Sequence, residues 1–225
     1  GDILFGTPSA ESERAASEMD AYFLQRISEI RRNPKNHLLG QLVGIETEDG
    51  KLDDEELLSF CRLLLIAGNE TTTGLITASA RIFHEQPETL AQLKQQPELS
   101  GAFIEETLRY YSPFSATVRR TTKDVELAGQ NIVAGELVLP LIASANRDER
   151  VFDAPDTFQI DRSPNPHLGM GFGIHFCLGA HLARLEGRVV VEQMAERYAS
   201  VALAKPEKAT VGNLGGPKEL AIRVG

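Results

Sequence analysis

Cysteine is scarce: the 225-residue chain has two, Cys61 and Cys177, far apart and without a Cys-x-x-Cys pair. That excludes a disulfide scaffold and makes a reducing compartment the default, so a cytoplasmic location is expected. Basic charge is outnumbered. The 23 Lys and Arg face 32 Asp and Glu, a net charge of −9, which argues against a nucleic-acid partner. Long apolar runs are missing too. The nearest, Leu63 to Ala67, is short and leads into polar residues, so no membrane partner is expected. No stretch reads as a signal peptide, and there are no repeats or low-complexity segments. The remainder is ordinary for a globular chain, at 42% hydrophobic and 24% charged. The length suits one sizeable core or two small ones.

Against this background one stretch stands out, His167 to Leu185, HLGMGFGIHFCLGAHLARL. Gly169, Gly171 and Gly173 alternate up to His175; Cys177 and Gly179 follow, then an apolar helical run. Glycines let backbone approach something flat and large, because no Cβ intervenes. The cysteine falls at a helix start, where unpaired N–H groups favour a thiolate. A lone cysteine is more often an inert buried packer. A single thiolate in this frame, however, suits one axial position of a metal whose other positions are filled, such as haem iron. Zinc is a poor rival, since His175 and Cys177 are only two ligands.

The periodicity predicts a helix opening at Pro8-Ser9, with Ala16, Met19, Phe23, Ile27 and Ile30 on one face, and stopping at Asn33-Pro34. A short helix over Leu38 to Val43 and a turn at Glu48-Asp49-Gly50 follow. Asp53-x-x-Glu56 is a capping box for a long helix ending before Pro87. Apolar over more than one face, that helix is expected to be central and buried. Its middle, Ala67 to Gly74 (AGNETTTG), conflicts with such burial, and such conflicts mark functional sites. Helices over 87–95 and 97–111 come next. Strands are expected over 117–122, 125–127, 131–133 and 136–142, and a meander over 143–166. The spacing then predicts a helix from Cys177 to about Tyr198, with apolar positions Leu178, Leu182, Leu185, Val189 and Val190. Two short tail strands flank Gly212 to Pro217.

These motifs resemble those of the cytochromes P450. The family's haem signature is Phe-Gly-x-Gly-x-His/Arg-x-Cys-x-Gly; Gly171, Gly173, His175, Cys177 and Gly179 match it, while Met170 stands where the family has Phe. Ala67-Gly68-x-Glu70-Thr71-Thr72 is similar to the family's oxygen-activating segment, and Glu106-x-x-Arg109 to its Glu-x-x-Arg pair. Ala145 to Asp148 through Asp161-Arg162 resembles the approach to the haem loop in soluble bacterial members.

The resemblance implies a mainly α, partial cytochrome P450 fold: the carboxy-terminal helices with small β-sheets and the haem-binding loop. The chain then divides into a helical lead-in (1–50), the long helix and the Glu-x-x-Arg helix (51–112), a small sheet and meander (113–166), and the haem loop, final helix and tail (167–225). It implies haem b, with Cys177 as the iron ligand. Ala67, Gly68, Arg119, Gly171, Phe172, Gly173, His175 and Gly179 would contact the cofactor, His175 and Arg119 through its propionates. Glu70 and Thr71 would be catalytic. Glu106, Arg109 and Arg162 would form a structural network under the loop. The implied activity is haem-thiolate monooxygenation of a small organic substrate, with electrons from NAD(P)H through a ferredoxin or similar donor. Intact Glu70-Thr71 argues for dioxygen over a peroxide-driven variant. Pro113 to Thr117 and Gly212 to Gly216 would border the substrate. Arg184 and Arg188 are either a solvated face or part of a docking face for an acidic donor. The second reading is a non-catalytic, haem-free or weakly haem-binding truncated fragment that self-associates, as expected when a core is cut.

Overall fold

A computed structural model describes residues 9–47, 50–205 and 220–225. The chain is mainly α-helical and falls into two compact units, residues 1–69 and 70–225.

In the first unit, α1 (Ala10–Arg32) starts where Ser9 caps it, the Ser9 hydroxyl accepting from the Ser12 N–H at 3.1 Å. Helix α2 (Leu38–Gly44) follows. Its Leu42 packs with Ile27 of α1 and with Leu57 in the first turns of α3 (Asp54–Glu85). The capping box forms: the Asp53 carboxylate accepts from the Glu55 and Glu56 N–H groups, and Glu56 reaches back to the Asp53 N–H at 2.9 Å. Where a turn alone is expected, β1 (Glu46–Thr47) pairs antiparallel with β2 (Gly50–Lys51).

Helix α3 runs unbroken for 32 residues through the Gly- and Thr-rich middle and across the division between the units. Its burial corrects the expectation of a helix buried along its length. Leu57, Leu58 and Cys61 are buried, but Leu63, Leu65 and Ile66 are exposed, as are Ala67, Gly68 and Asn69; burial resumes at Gly74. A Cβ on Gly74 would come 3.1 Å from Pro113 Cβ, so this glycine permits a close crossing.

The second unit is centred on an aromatic stack. Phe83 of α3 lies face to face with Phe103 at 5.1 Å, and Phe158 meets Phe103 edge-on at 5.6 Å. Phe103 and Ile104 belong to α5 (Ser100–Tyr111), which follows α4 (Pro87–Gln95) and a 3₁₀ turn over Pro97–Leu99. Four short strands form two-stranded pairs: β3 (Arg119–Arg120) with β6 (Leu137–Val138), and β4 (Val125–Leu127) with β5 (Gln130–Ile132). β4 matches its expected span and β5 is shifted by one residue, whereas β3 and β6 are shorter than the alternation suggests, and Ile142 opens a helical turn, α6 (Ile142–Ala145), instead of closing a strand. The last helix, α7 (Ala180–Arg197), leads to β7 (Val201–Leu203), paired with β8 (Ile222–Val224). Residues 212–217 between those strands lie outside the described residues.

Helix α7 buries the face opposite to its large apolar residues. Ala180, Gly187, Val191 and Ala195 are inside, while Leu182, Leu185 and Val189 are exposed. A Cβ on Gly187 would meet Ile104 Cδ1 at 2.8 Å and Leu75 Cδ2 at 3.0 Å. Small residues let three helices approach here, so size, not hydrophobicity, decides which face packs. No helix among the described residues is long and apolar enough to cross a membrane.

Candidate functional site

The Gly- and Cys-containing loop departs from the core at Met170, which is buried in the main apolar cluster. The flexible thioether thus serves as an anchor at the position where the family pattern carries Phe. Gly171 (φ +76°) and Gly173 (φ +62°) take left-handed conformations that a Cβ would strain. A Cβ on Gly171 would also lie 2.8 Å from the His175 carbonyl. A 3₁₀ turn over Gly173–His175 reverses the chain, and the Cys177 N–H donates to the Met170 carbonyl at 2.8 Å, closing the loop. Cys177 sits just ahead of α7, its carbonyl accepting from the Ala180 N–H at 3.2 Å.

The two cysteines differ in what they offer. Cys61 is buried, and burial pushes its thiol up from the ordinary value. Cys177 is exposed. Around it the loop presents an uncovered apolar rim: Phe172 is 82% exposed, Ile174 97% and Leu178 71%, with Phe176 half-exposed. Water is an expensive neighbour for so much apolar surface. Among the described residues no group of three or more His, Cys, Asp or Glu side chains gathers as a metal site. A metal at Cys177 would therefore have to bring most of its ligands with it, inside a flat apolar group that covers the rim. The residues present fit haem on both counts.

Other candidates are distributed as follows. His175 ends the 3₁₀ turn and is exposed. Gly179 precedes α7, and the nearest atom to a Cβ there would be Cys177 Sγ, at 4.0 Å. Arg119 is exposed on β3, its guanidinium donating to the Thr117 hydroxyl and the Val118 carbonyl, each at 2.8 Å. Glu70, Thr71 and Thr72 are half-buried on α3; the Thr72 hydroxyl donates to Glu186 of α7 at 3.2 Å. Ala67 and Gly68 are exposed on α3, in the other unit from Cys177.

Beneath the loop lies a buried charged network. Glu106 and Arg109 are fully buried and share two 2.8 Å hydrogen bonds. Arg162 donates to both Glu106 oxygens at 3.0 and 3.1 Å, and the Gln159 N–H and the Asn165 amide complete the carboxylate's shell. One carboxylate thus serves two guanidiniums. The remaining donors go to backbone carbonyls. Arg109 takes those of Asn146, Pro155 and Thr157. Arg162 takes those of Asp153, Ala154 and Thr157. The irregular stretch from 146 to 165 therefore satisfies its backbone with side chains instead of a ladder. Asn146 carries this order into the loop, its side chain accepting from the Leu168 N–H at 2.7 Å.

Two further residues escaped the motif search. The Glu105 carboxylate accepts from Arg184 Nε and Nη2 at 2.6 and 2.8 Å and lies 3.1 Å from His167 Nε2. Burial alone pushes the Glu105 carboxyl up; the hydrogen bonds from Arg184 and His167 outweigh it and hold the group at about 2. Arg184, read from its spacing as a solvated or docking residue, is turned to this pair; Arg188 keeps an exposed contact with Glu192. The adjacent pair Glu105-Glu106 was the available signal: on a helix, neighbours point apart and serve two different partners.

Comparison with known proteins agrees. The family model described as "Cytochrome P450" matches residues 5–211. Cytochrome P450 109 of Bacillus spizizenii is 40% identical, covering 99% of this chain and 59% of its own. Putative cytochrome P450 YjiB of Bacillus subtilis is 41% identical, covering 88% of this chain and 52% of its own. The crystal structure of substrate-free CYP109E1 from Bacillus megaterium superposes with a TM-score of 0.89 at 39% identity, covering 99% of this chain and 61% of that one. The chain thus spans about half the length of the curated relatives it matches. With a family model matched over nearly all its residues and relatives at this identity, the chain belongs to the cytochrome P450 family.

Proposed function

We propose that this chain is the haem-holding part of a haem-thiolate monooxygenase working in the cytoplasm. Cytochromes P450 bind haem b. The observation that carries the reading is the exposed thiol of Cys177 inside a loop whose left-handed positions are glycine and whose apolar rim is uncovered. Haem b, when bound, supplies the reductive activation of dioxygen by which one oxygen atom enters a small organic substrate.

The chain's own residues do the rest. Cys177 holds the iron as thiolate and is the metal ligand. Gly171 and Gly173 bring backbone close to the flat group, Phe172 shields its apolar surface, and Gly179 keeps the space beside the sulfur clear. His175 and Arg119 donate charge-assisted hydrogen bonds to its carboxylates. Ala67 and Gly68 have little side-chain bulk, and a place beside the cofactor is what the family resemblance implies for them. Thr71 supplies a hydroxyl hydrogen bond, and Glu70 passes protons through water. Glu106, Arg109 and Arg162 hold the meander on which the loop rests. Electrons come from NAD(P)H through a ferredoxin or similar donor.

The test is spectroscopic. The purified chain is supplied with haemin, reduced and exposed to carbon monoxide. A Soret band at the thiolate-ligated position supports the reading, and absence of haem uptake overturns it. Sizing the same sample reads whether two copies associate through the exposed apolar rim.

A further inference from the structure

Cys177 lies on a loop with two feet, and both feet end on one carboxylate. The upstream foot is His167. Its side chain is only 4% exposed, and Nδ1 accepts from the Gly169 N–H at 3.0 Å. That bond places the ring proton on Nε2, which faces Glu105 Oε2 at 3.1 Å. The downstream foot is Arg184, about one turn into α7, which grips Glu105 through both Nε and Nη2. Glu105 itself is half-buried on α5, whose neighbouring Phe103, Ile104 and Leu108 are packed in the core. Gly169 cannot retreat, since a Cβ there would already be 2.9 Å from the Leu108 carbonyl of α5.

We propose that Glu105 is a positioning residue for the cysteine loop: it ties His167 before the loop to Arg184 after it and so fixes the spacing of the loop's base. This rests on the reading of Cys177 as the haem ligand. Glu105 is distinct from the buried network next to it, which holds residues 153–165. Glu106 faces the meander, and Glu105 faces the loop. The loop is closed by single backbone bonds, such as that from the Cys177 N–H to the Met170 carbonyl, with no strand ladder beyond its base among the described residues, and one charged acceptor shared by two donors supplies the constraint there. Without it, Gly169 loses an oriented partner and Arg184 is left without its carboxylate.

The experiment compares the wild-type chain with Glu105→Gln and with Ser100→Ala. Ser100→Ala removes the 2.6 Å bond from Ser100 to Glu192, which links the same two helices without touching the loop. Amide hydrogen exchange is read first, without haem. In Glu105→Gln, exchange at Gly169 and Cys177 is expected to rise about tenfold, while Ser100→Ala leaves both near wild type. Haem release is read next. Glu105→Gln is expected to lose haem about tenfold faster or more, with a reduced share of the thiolate-type carbon monoxide band. Equal exchange at Gly169 and Cys177 in Glu105→Gln and Ser100→Ala overturns the proposal. Should Glu105→Gln fail to fold, His167→Ala removes the upstream arm together with the acceptor of the Gly169 N–H, so exchange at Cys177 and haem release decide. The two readings fail separately. A wild-type chain that takes up no haem defeats the ligand assignment, while amide exchange still decides the clamp. Normal haem uptake with unchanged exchange defeats the clamp alone.

Discussion

The meander from 146 to 165 and the loop from 169 to 179 are both irregular backbone, yet they are held by opposite means. In the meander, two buried guanidiniums collect five different carbonyls around one carboxylate, and the charged side chains are shut away from solvent. In the loop, glycine conformations and a few backbone bonds set the path, and the apolar side chains point outward. The first region is satisfied by this chain's own groups. The second is built to be completed by something else. Self-sufficiency and exposure thus separate the structural charges from the candidate ligand, although both lie within one sequence motif set.

The contrast can be broken most forcefully at its buried end. Arg109→Ala strips Glu106 of a buried partner and takes the guanidinium from the Asn146 and Pro155 carbonyls, so a loss of about 3–5 kcal/mol is expected in denaturant unfolding. A loss near 1 kcal/mol would mean that the network is not a foundation. At the exposed end, Gly171→Ala meets both a left-handed φ and the His175 carbonyl. It is expected to cost about 1–3 kcal/mol by the same assay and to slow haem uptake. Cys177→Ala should change stability by only about 0.5 kcal/mol, because the side chain is exposed, yet abolish the thiolate-type carbon monoxide band. A retained band would overturn the ligand assignment.

Glu105 sharpens the comparison through pH. Its folded value of about 2 lies below the ordinary 4.5, so its contribution is fully present above 4.5 and fades as pH falls toward 2. The stability gap between wild type and Glu105→Gln should therefore be open at neutral pH and narrow progressively below 4.5, measured by unfolding at several pH values. A gap independent of pH would deny the carboxylate its role. The smallest effect belongs to Arg188→Ala, whose exposed pairing with Glu192 should be worth less than about 0.5 kcal/mol.

Much of this was legible in the sequence because local rules sufficed. The Asp53-x-x-Glu56 cap, the proline-bounded helices and the glycine alternation each state a local preference that the fold keeps. Burial was less legible. The long helix reads as apolar over more than one face, yet Leu63 and Leu65 to Asn69 are exposed. The last helix reads as a leucine stripe, yet it packs through Ala180, Gly187, Val191 and Ala195. Periodicity reports which residues share a face, not which face finds a neighbour close enough to exclude water.

Sequence alone determined the motifs: one thiol in a glycine frame, a Glu-x-x-Arg pair and a Gly- and Thr-rich helix segment, each legible within a few residues. Tertiary structure decided their standing. It separated the inert Cys61 from the exposed Cys177, gave Glu106 and Glu105 to two different networks, and drew His167 and Arg184 onto one carboxylate. The reason is that these outcomes depend on burial and on partners distant in the chain, from Glu105 to Arg184 across 79 residues, and no local preference encodes such a meeting.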